Sequence, residues 1–245
     1  KRRIQKLRNK RLVMIKHLKS LFFSLGFLAV LFASETSDAQ DKDGYYFKGE
    51  LGYGFSNDTE QFNGTGIAST NESNDDIVKL GIGLGYNPEG PMRTELSFSY
   101  SPNMESSANS TNATTTNSSI DNYLLMVNAY YDFDEVSQSF VPYIGGGVGI
   151  SRMVQDDTSI KNASGSINLT EGGVTKNNLG WALGLGTEIQ VEGDVSLDIG
   201  YRYLALGESE GNGVFSGSPA QTPNSGGRIG NQFIHELYLG VRIGF

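Results

Sequence analysis

Apolar residues alternate with small, polar or charged residues in eight separate stretches of the chain. A period of two is typical of β-strands, because successive side chains leave a strand on opposite faces. In the closing stretch, for example, apolar side chains are separated by Tyr238, Gly240, Arg242 and Gly244. The pattern therefore predicts eight strands, at residues 45–55, 78–86, 92–100, 123–133, 140–150, 179–189, 195–203 and 233–245.

The two faces of these strands differ in charge. The apolar face carries no Asp, Glu, Lys or Arg in any of the eight stretches. A soluble sheet would bury this face and turn the charges to water, whereas a membrane barrel turns it to lipid and the charges to its lumen. The alternation alone allows both arrangements. The opposite faces carry eleven charged residues: Lys48, Glu50, Lys79, Arg93, Glu95, Asp132, Glu188, Asp198, Arg202, Glu236 and Arg242.

The connections between the predicted strands alternate strictly in length. Short connections lie at 87–91, 134–139 and 190–194, and both ends of the strand array fall on their side. An outer-membrane barrel has this layout, with short periplasmic turns and long extracellular loops. We therefore expect both termini in the periplasm and four long loops outside the cell, at 57–75, 101–119, 152–177 and 204–231.

Aromatic residues stand near both ends of the apolar faces. Such girdles suit the two lipid interfaces of a membrane barrel and have no function in a soluble core. They favour an all-β fold, an eight-stranded antiparallel up-and-down transmembrane β-barrel. The girdle residues are Tyr45, Phe47, Tyr86, Phe133, Phe140 and Phe245 on the short-turn side, and Tyr53, Phe55, Phe98, Tyr100, Tyr123, Trp181, Tyr201, Tyr203 and Phe233 toward the loops.

The N-terminus has the order of regions that a secretory signal peptide shows. A basic segment at 1–19 precedes an apolar run at 21–33, and Ser37 and Ala39 supply small residues for cleavage. A membrane anchor would need about 20 apolar residues. Because the first residue is Lys, Met14 is an alternative natural start.

The sequence thus divides into a signal peptide at 1–39 and a barrel domain at 40–245. Without the first segment the chain has 10 basic and 25 acidic residues, a net charge near -15. This acidity disfavours the binding of nucleic acid or anionic lipid through a basic surface. The chain contains no Cys, which excludes disulfides and thiolate metal sites.

The segments Phe140–Gly149 and Leu197–Tyr203, together with the terminal strand, resemble the opacity-type and OmpA-like small outer-membrane β-barrel proteins, a superfamily that includes rickettsial-type surface antigens. The resemblance covers nearly all of the mature chain and implies a location in the bacterial outer membrane. It also implies that the barrel-assembly machinery reads the terminal strand, through the assembly signal Tyr238, Gly240, Ile243 and Phe245.

Eight strands enclose a lumen just wide enough for side chains to fill. Charges cut off from water are costly, so we expect the eleven inward charges to pair across strands or to meet trapped water. This favours a structural polar core. A narrow gated ion path is the alternative, and a wide diffusion pore is disfavoured.

Catalysis is poorly supported by the sequence. The mature chain has a single His, and His235 is expected at the loop-side end of the last strand as an interfacial aromatic. The run Gly145–Gly149 lies within a predicted strand and lacks the Lys-Ser/Thr of a nucleotide loop. We predict no catalytic residue, cofactor or metal site.

The function predicted from the sequence is therefore that of an outer-membrane surface protein. It would support the envelope and contact a host or matrix surface through its loops, as an adhesin or surface antigen does. Its other expected partner is outer-membrane lipid. The alternative function is a small porin or gated ion channel, and a lipid-modifying enzyme is a remote third.

Overall fold

The computed structural model describes residues 44–56, 61–62, 71–74, 77–109, 114–133, 140–162, 164, 168–218 and 228–245 of the 245-residue chain. These residues form strands joined by turns. Nowhere in these ranges is there a helix with the length and hydropathy needed to span a membrane. The predicted signal peptide lies outside the described residues and stays a prediction.

The described strands follow the predicted order. Their bounds are β1 Gly44–Ser56, β2 Gln61–Phe62, β3 Asn71–Asn74, β4 Ile77–Asn87, β5 Met92–Asn109, β6 Thr114–Asp132, β7 Phe140–Gln155, β8 Thr158–Asn162, β9 Asn168–Glu171, β10 Val174–Glu192, β11 Val195–Glu210, β12 Phe215–Ser218 and β13 Arg228–Gly244. The long strands β1, β4, β5, β6, β7, β10, β11 and β13 correspond to the eight predicted ones.

These eight strands form a closed antiparallel barrel. Each pairs with its neighbours along the chain, and the last strand, β13, returns to pair with β1 from Tyr46↔Gly244 to Ser56↔Ile234. Closure leaves no open sheet edge within the barrel, so the backbone groups of the spanning segments are paired. The predicted eight-stranded antiparallel barrel is confirmed.

The outer face of the barrel is apolar. Large hydrophobic side chains are exposed along all eight long strands, up to 76% for Leu179. Aromatic side chains ring this band at both ends: Tyr45 stacks on Phe245 on the turn side, and Phe55 stacks on His235 on the loop side. An apolar band of this extent is not compatible with water and suits a lipid bilayer.

The loop-side ends of the strands reach farther than predicted. The sequence indicated a loop at 101–119, but β5 continues to Asn109 and β6 begins at Thr114, and their pairing extends to Asn109↔Thr115. The loop prediction is wrong for the strand residues of this range. The apolar alternation that identifies a strand ends at the edge of the membrane, whereas backbone pairing continues through a Ser/Thr/Asn tract without it.

The other predicted loops also contain strand. Five short strands extend the wall on the loop side: β8 pairs with β6 and β9, β9 pairs with β12, β3 pairs with β5, and β2 pairs with β13. Connections of a few residues, at 156–157, 172–173 and 211–214, separate β8, β9 and β12 from the long strands. The loop side of the barrel is therefore built in part from paired strands that continue the barrel sheet.

Candidate functional site

The lumen holds the eleven charged residues that the sequence placed on the inner face. Eight of them are buried, and the side chains of Glu50, Asp132 and Glu188 are 8%, 15% and 20% exposed. Alternation along each strand brings them together, because every second side chain points to the barrel axis. From the turn side to the loop side, the lumen has three levels: a charged layer made of two linked groups, an apolar layer and a polar cluster.

One charged group lies at the turn side and is centred on Arg93. Its Nε donates to Asp132 at 2.9 Å, and its guanidinium lies 4.3 Å and 4.5 Å from the ring centres of Tyr130 and Tyr143. Glu95 accepts from the hydroxyls of Tyr130 at 3.3 Å and of another inward tyrosine, Tyr46, at 3.0 Å. Aromatic faces thus partly replace water around the buried cation.

A second group forms the centre of the lumen. Lys79 pairs with Glu236 at 2.7 Å and Arg202 donates to the same carboxylate, while both cations also contact Glu50. Lys48 lies 3.0 Å from Glu50. Each carboxylate therefore meets more than one cation, which is the arrangement that buried charges require.

Asp198 joins the central group to the turn side. This fully buried carboxylate forms an ion pair with Lys48 at 2.9 Å and accepts from Arg242 at 3.2 Å, and Arg242 also pairs with Glu188. Tyr143 donates its hydroxyl hydrogen to Asp198. The chain of contacts connects five strands, β1, β7, β10, β11 and β13.

Four inward tyrosines were absent from the predicted set of lumen residues, although Tyr238 was predicted as part of the assembly signal. Tyr238 lies between two cations: its ring centre is 4.9 Å from Lys48 Nζ and 4.6 Å from Arg202 Cζ. Its hydroxyl is 2.6 Å from that of Tyr143. Because the Tyr143 hydrogen goes to Asp198, Tyr238 is the donor between the two hydroxyls. The sequence signal that could have identified these tyrosines is their position on the same strand faces as the charged residues. The four are Tyr46, Tyr130, Tyr143 and Tyr238.

Glycines face the large lumen side chains across neighbouring strands. A Cβ on Gly85 would lie 2.0 Å from the Tyr46 ring, and one on Gly145 would lie 2.2 Å from the Tyr130 ring. These wall glycines make room for bulky neighbours in the lumen. The run Gly145–Gly149 lies within β7, as predicted, and opens no helix.

An apolar layer fills the lumen on the loop side of the charges. It was not predicted, because the inner face was treated as polar. Within it, Asn122 on β6 donates to Ser151 on the neighbouring strand β7 at 2.7 Å. Its members come from every long strand except β1: Ile77, Met104, Ile120, Leu124, Met126, Met153, Ala182, Leu204, Leu206 and Ile234.

A polar cluster covers the apolar layer at the loop-side mouth. Ser209 donates to Gln155 at 2.7 Å, Gln155 donates to Thr158 at 2.9 Å, and Thr158 donates to Ser118 at 3.4 Å. All four are buried. This cluster ties β8 to the barrel strands β6, β7 and β11.

Three of the four residues of the proposed assembly signal lie on β13, on both of its faces, and the fourth, Phe245, follows directly after the strand. Tyr238 and Gly240 face the lumen, where a Cβ on Gly240 would lie 3.1 Å from Lys48 Cε. Ile243 and Phe245 belong to the outward set. Packing alone explains Tyr238 and Gly240, so their recognition by the assembly machinery stays a prediction.

Neither catalytic nor metal-binding geometry is evident in the described ranges. His235 lies on the outer face, and its Nδ1 is 2.6 Å from the Tyr201 hydroxyl within a cluster of aromatic rings. The described residues form no group of three or more His, Asp or Glu side chains suited to a metal ion.

A closed barrel with an apolar exterior and paired charges inside defines the class of outer-membrane β-barrel proteins. The chain belongs to the outer membrane protein beta-barrel domain family, whose profile matches residues 23–225. This confirms the resemblance to the opacity-type and OmpA-like proteins and places the protein in the bacterial outer membrane.

Two relatives have similar sequences. A Rickettsia prowazekii protein named "Putative adhesin RP828" is 26% identical over 226 residues, which cover 88% of this chain and 95% of the relative. An uncharacterized protein of Brucella suis is 26% identical over 194 residues, 66% of this chain and 68% of the relative. The outer membrane protein OprG from Pseudomonas aeruginosa shares the fold, with a TM-score of 0.50, 13% identity and coverage of 84% of this chain and 99% of OprG.

Proposed function

We propose that this protein is a closed, non-conducting barrel that supports the envelope and presents its loop-side wall for contact with a host or matrix surface, as an adhesin does. One observation carries the proposal. The lumen is filled by side chains at three successive levels, whereas the wall is extended beyond the lipid band by paired strands.

The loop-side wall has the properties of a contact surface. Strands β5 and β6 pair well past the apolar band, and β8, β9 and β12 continue the sheet beside them. Paired backbone holds this surface in shape, so a partner would meet a preformed sheet rather than free loops. Pre-organisation of this kind lowers the entropic cost of binding.

The charge of the loop-side segments indicates the chemistry of a partner. The predicted loop ranges contain ten acidic and four basic residues. The segments therefore favour a basic or uncharged partner surface over an acidic one. The relative named as an adhesin is aligned over most of both chains, which supports a surface-contact function for this protein too.

The alternatives lack a comparable observation. Buried ion pairs and the apolar layer fill successive levels of the lumen. An ion could pass only if side chains of both levels moved aside at the same time. Stable nanosiemens conductance of the refolded protein in planar bilayers would contradict the closed-barrel proposal. For an enzyme, His235 is the candidate base of the barrel domain, and it lies on the outer face among aromatic rings, with the Tyr201 hydroxyl at its Nδ1.

The surface-contact proposal is tested by shortening one hairpin while keeping its register. Ser106 pairs with Ser118, so residues 107–117 can be replaced by an Asn-Gly turn that joins these two positions. Bacteria of a non-adherent strain would display the full chain or this variant, and binding to cultured host cells and to matrix-coated wells would be counted. We expect binding to fall several-fold in the shortened variant.

The control replaces only residues 110–113 by four Gly and Ser residues, which leaves both strands in place. Folded protein at the cell surface is measured for every variant by heat-dependent gel mobility and by antibody labelling. Wild-type binding by the variant that lacks residues 107–117, and by matching register-preserving truncations of the other three loop-side segments, would contradict the proposal.

A further inference from the structure

The loop-side extension of the strands places two charged residues on the outer face. Asp121 on β6 and Arg152 on β7 continue the outward phase of the alternation, just beyond the apolar band. Their neighbours in that phase nearer the turn side are Tyr123 and Ile150. Both charges therefore stand at the height where lipid acyl chains give way to headgroups.

The carboxylate of Asp121 accepts a hydrogen bond from the protein at each of its two oxygens. Its Oδ2 accepts from the Tyr100 hydroxyl at 3.0 Å, and its Oδ1 accepts from the backbone N–H of Asn103 at 2.8 Å. Asn103 lies at a bulge in β5 and has a left-handed φ of 47°, a conformation that Asn tolerates better than most residues. The bulge thus supplies a local donor for this carboxylate.

Arg152, the second outward charge of this region, differs from Asp121 in its contacts. Its side chain is exposed, and in the described part of the chain no carboxylate forms an ion pair with it. Asp121, the acidic residue nearest to it by register, is held by Tyr100 and Asn103. The outward-facing cation of this region therefore has its guanidinium available to a ligand.

A lateral row of side chains surrounds Arg152. In register it is flanked by Tyr123 on β6 and Asn177 on β10, and Tyr123 stacks on Tyr100 with ring centres 4.8 Å apart. The row therefore combines two aromatic rings, a guanidinium and an amide, all of which can contact a polar headgroup.

The next row toward the membrane is entirely apolar. It consists of Phe98, Leu125, Ile150 and Leu179, which are paired in register directly below the polar row. Ile150 and Leu179 are 58% and 76% exposed. A lipid at this position would lay its acyl chains on this row while its headgroup met Arg152.

We propose that Arg152, with Tyr123 and Asn177 beside it, binds the phosphate group of a membrane lipid at the loop-side interface. The planar guanidinium can donate two parallel hydrogen bonds to phosphate oxygens. Lipid is also the one partner that must be present at this height of an outer-membrane barrel. The apolar row distinguishes a lipid phosphate from a free one, because only the lipid brings acyl chains to cover it.

The test uses the full mature chain refolded in detergent micelles and diphosphoryl lipid A as the probe. Native mass spectrometry measures the fraction of protein that carries lipid as the lipid is titrated. We expect Arg152→Gln to weaken binding about tenfold, the effect of losing one charge-assisted contact. Arg152→Lys keeps the charge without the planar fork and should lose less.

Lys161→Gln is the matched control. Lys161 is an exposed cation on β8, in register with Thr115 and Asn168 and outside the row described above. This variant should bind lipid A as the wild type does. Heat-dependent gel mobility establishes that each variant is folded.

Two further arms separate the sources of phosphate. With lipid A whose phosphates have been removed, wild type and Arg152→Gln should bind equally. Inorganic phosphate at the lipid concentration should not displace the lipid, and displacement would mean that the site takes the free anion. Equal lipid A binding by wild type and Arg152→Gln, or an equal loss in Lys161→Gln, would overturn the proposal. The adhesion results do not enter this test.

Discussion

The charged and apolar layers of the lumen fill the same barrel in two different ways. In the charged layer, Asp198 alone contacts Lys48, Arg242 and Tyr143, which come from three other strands. In the apolar layer, side chains such as Leu204 and Ile234 contribute volume and have no polar group to form directional bonds. The first layer depends on which groups meet, and the second on how well the space is filled.

This difference predicts how each layer responds to substitution. Removing one charge leaves its partners buried without full compensation, even when the shape is kept. Removing apolar volume leaves a cavity, but exchanging one apolar side chain for another of similar size is tolerated. The three predictions below follow from this contrast, and all are measured as the free energy of unfolding in urea after refolding into lipid vesicles.

The largest effect is expected for Asp198→Asn. The substitution keeps the shape of the side chain but removes the charge that Lys48 and Arg242 share, so we expect a loss of about 3–5 kcal/mol. Asp156→Asn is the control, because Asp156 is exposed in the connection after β7, and it should change stability by less than about 0.5 kcal/mol. Equal small effects of the two substitutions would mean that water, and not ion pairing, compensates the lumen charges.

Leu204→Ala should have the next largest effect. Leu204 is buried in the apolar layer, and its truncation should cost about 2–4 kcal/mol through lost contacts and a residual cavity. Leu204→Met preserves volume and should cost less than about 1.5 kcal/mol. If both substitutions were equally damaging, the apolar layer would be as specific in its contacts as the charged layer, and the contrast would fail.

Gly85→Ala should have the smallest of the three effects. The new methyl group would collide with the Tyr46 ring, so we expect a loss of about 1–3 kcal/mol from overpacking. Gly244→Ala is the control, since its nearest heavy atom, Asp194 Cβ, would be in ordinary contact at 3.5 Å. A neutral Gly85→Ala would show that the charged layer has free space around its tyrosines.

The sequence predicted the spanning part of the barrel well because lipid imposes a strict alternation there. The turn-side ends of β5, β7 and β11 begin at Met92, Phe140 and Val195, as predicted. Pro142, which has no N–H to donate to a neighbouring strand, is the third residue of β7. Outside the lipid band this constraint disappears, and the strand character of residues 101–109 and 114–119 had no apolar pattern to reveal it.

The lumen was predicted only in part. The inward position of the eleven charges follows from the phase of each strand, but their partners depend on the stagger between strands, which alternation does not contain. The apolar layer was missed although Leu124 and Met126 share the inner face with Asn128. In a short alternating segment these residues look like interruptions of a polar face, and the layer is recognised only when seven strands contribute to it together.

The pairing of β1 with β13 has a consequence for the time course of folding. It joins Tyr46 to Gly244, residues at opposite ends of the described chain, and such remote contacts raise the contact order and slow folding. Until the two strands meet, each presents an unpaired edge that can associate with another chain. We therefore expect the formation of this last pair of strands to be slow and to compete with aggregation, so that a chaperone that shields these two edges would raise the yield of folded barrel.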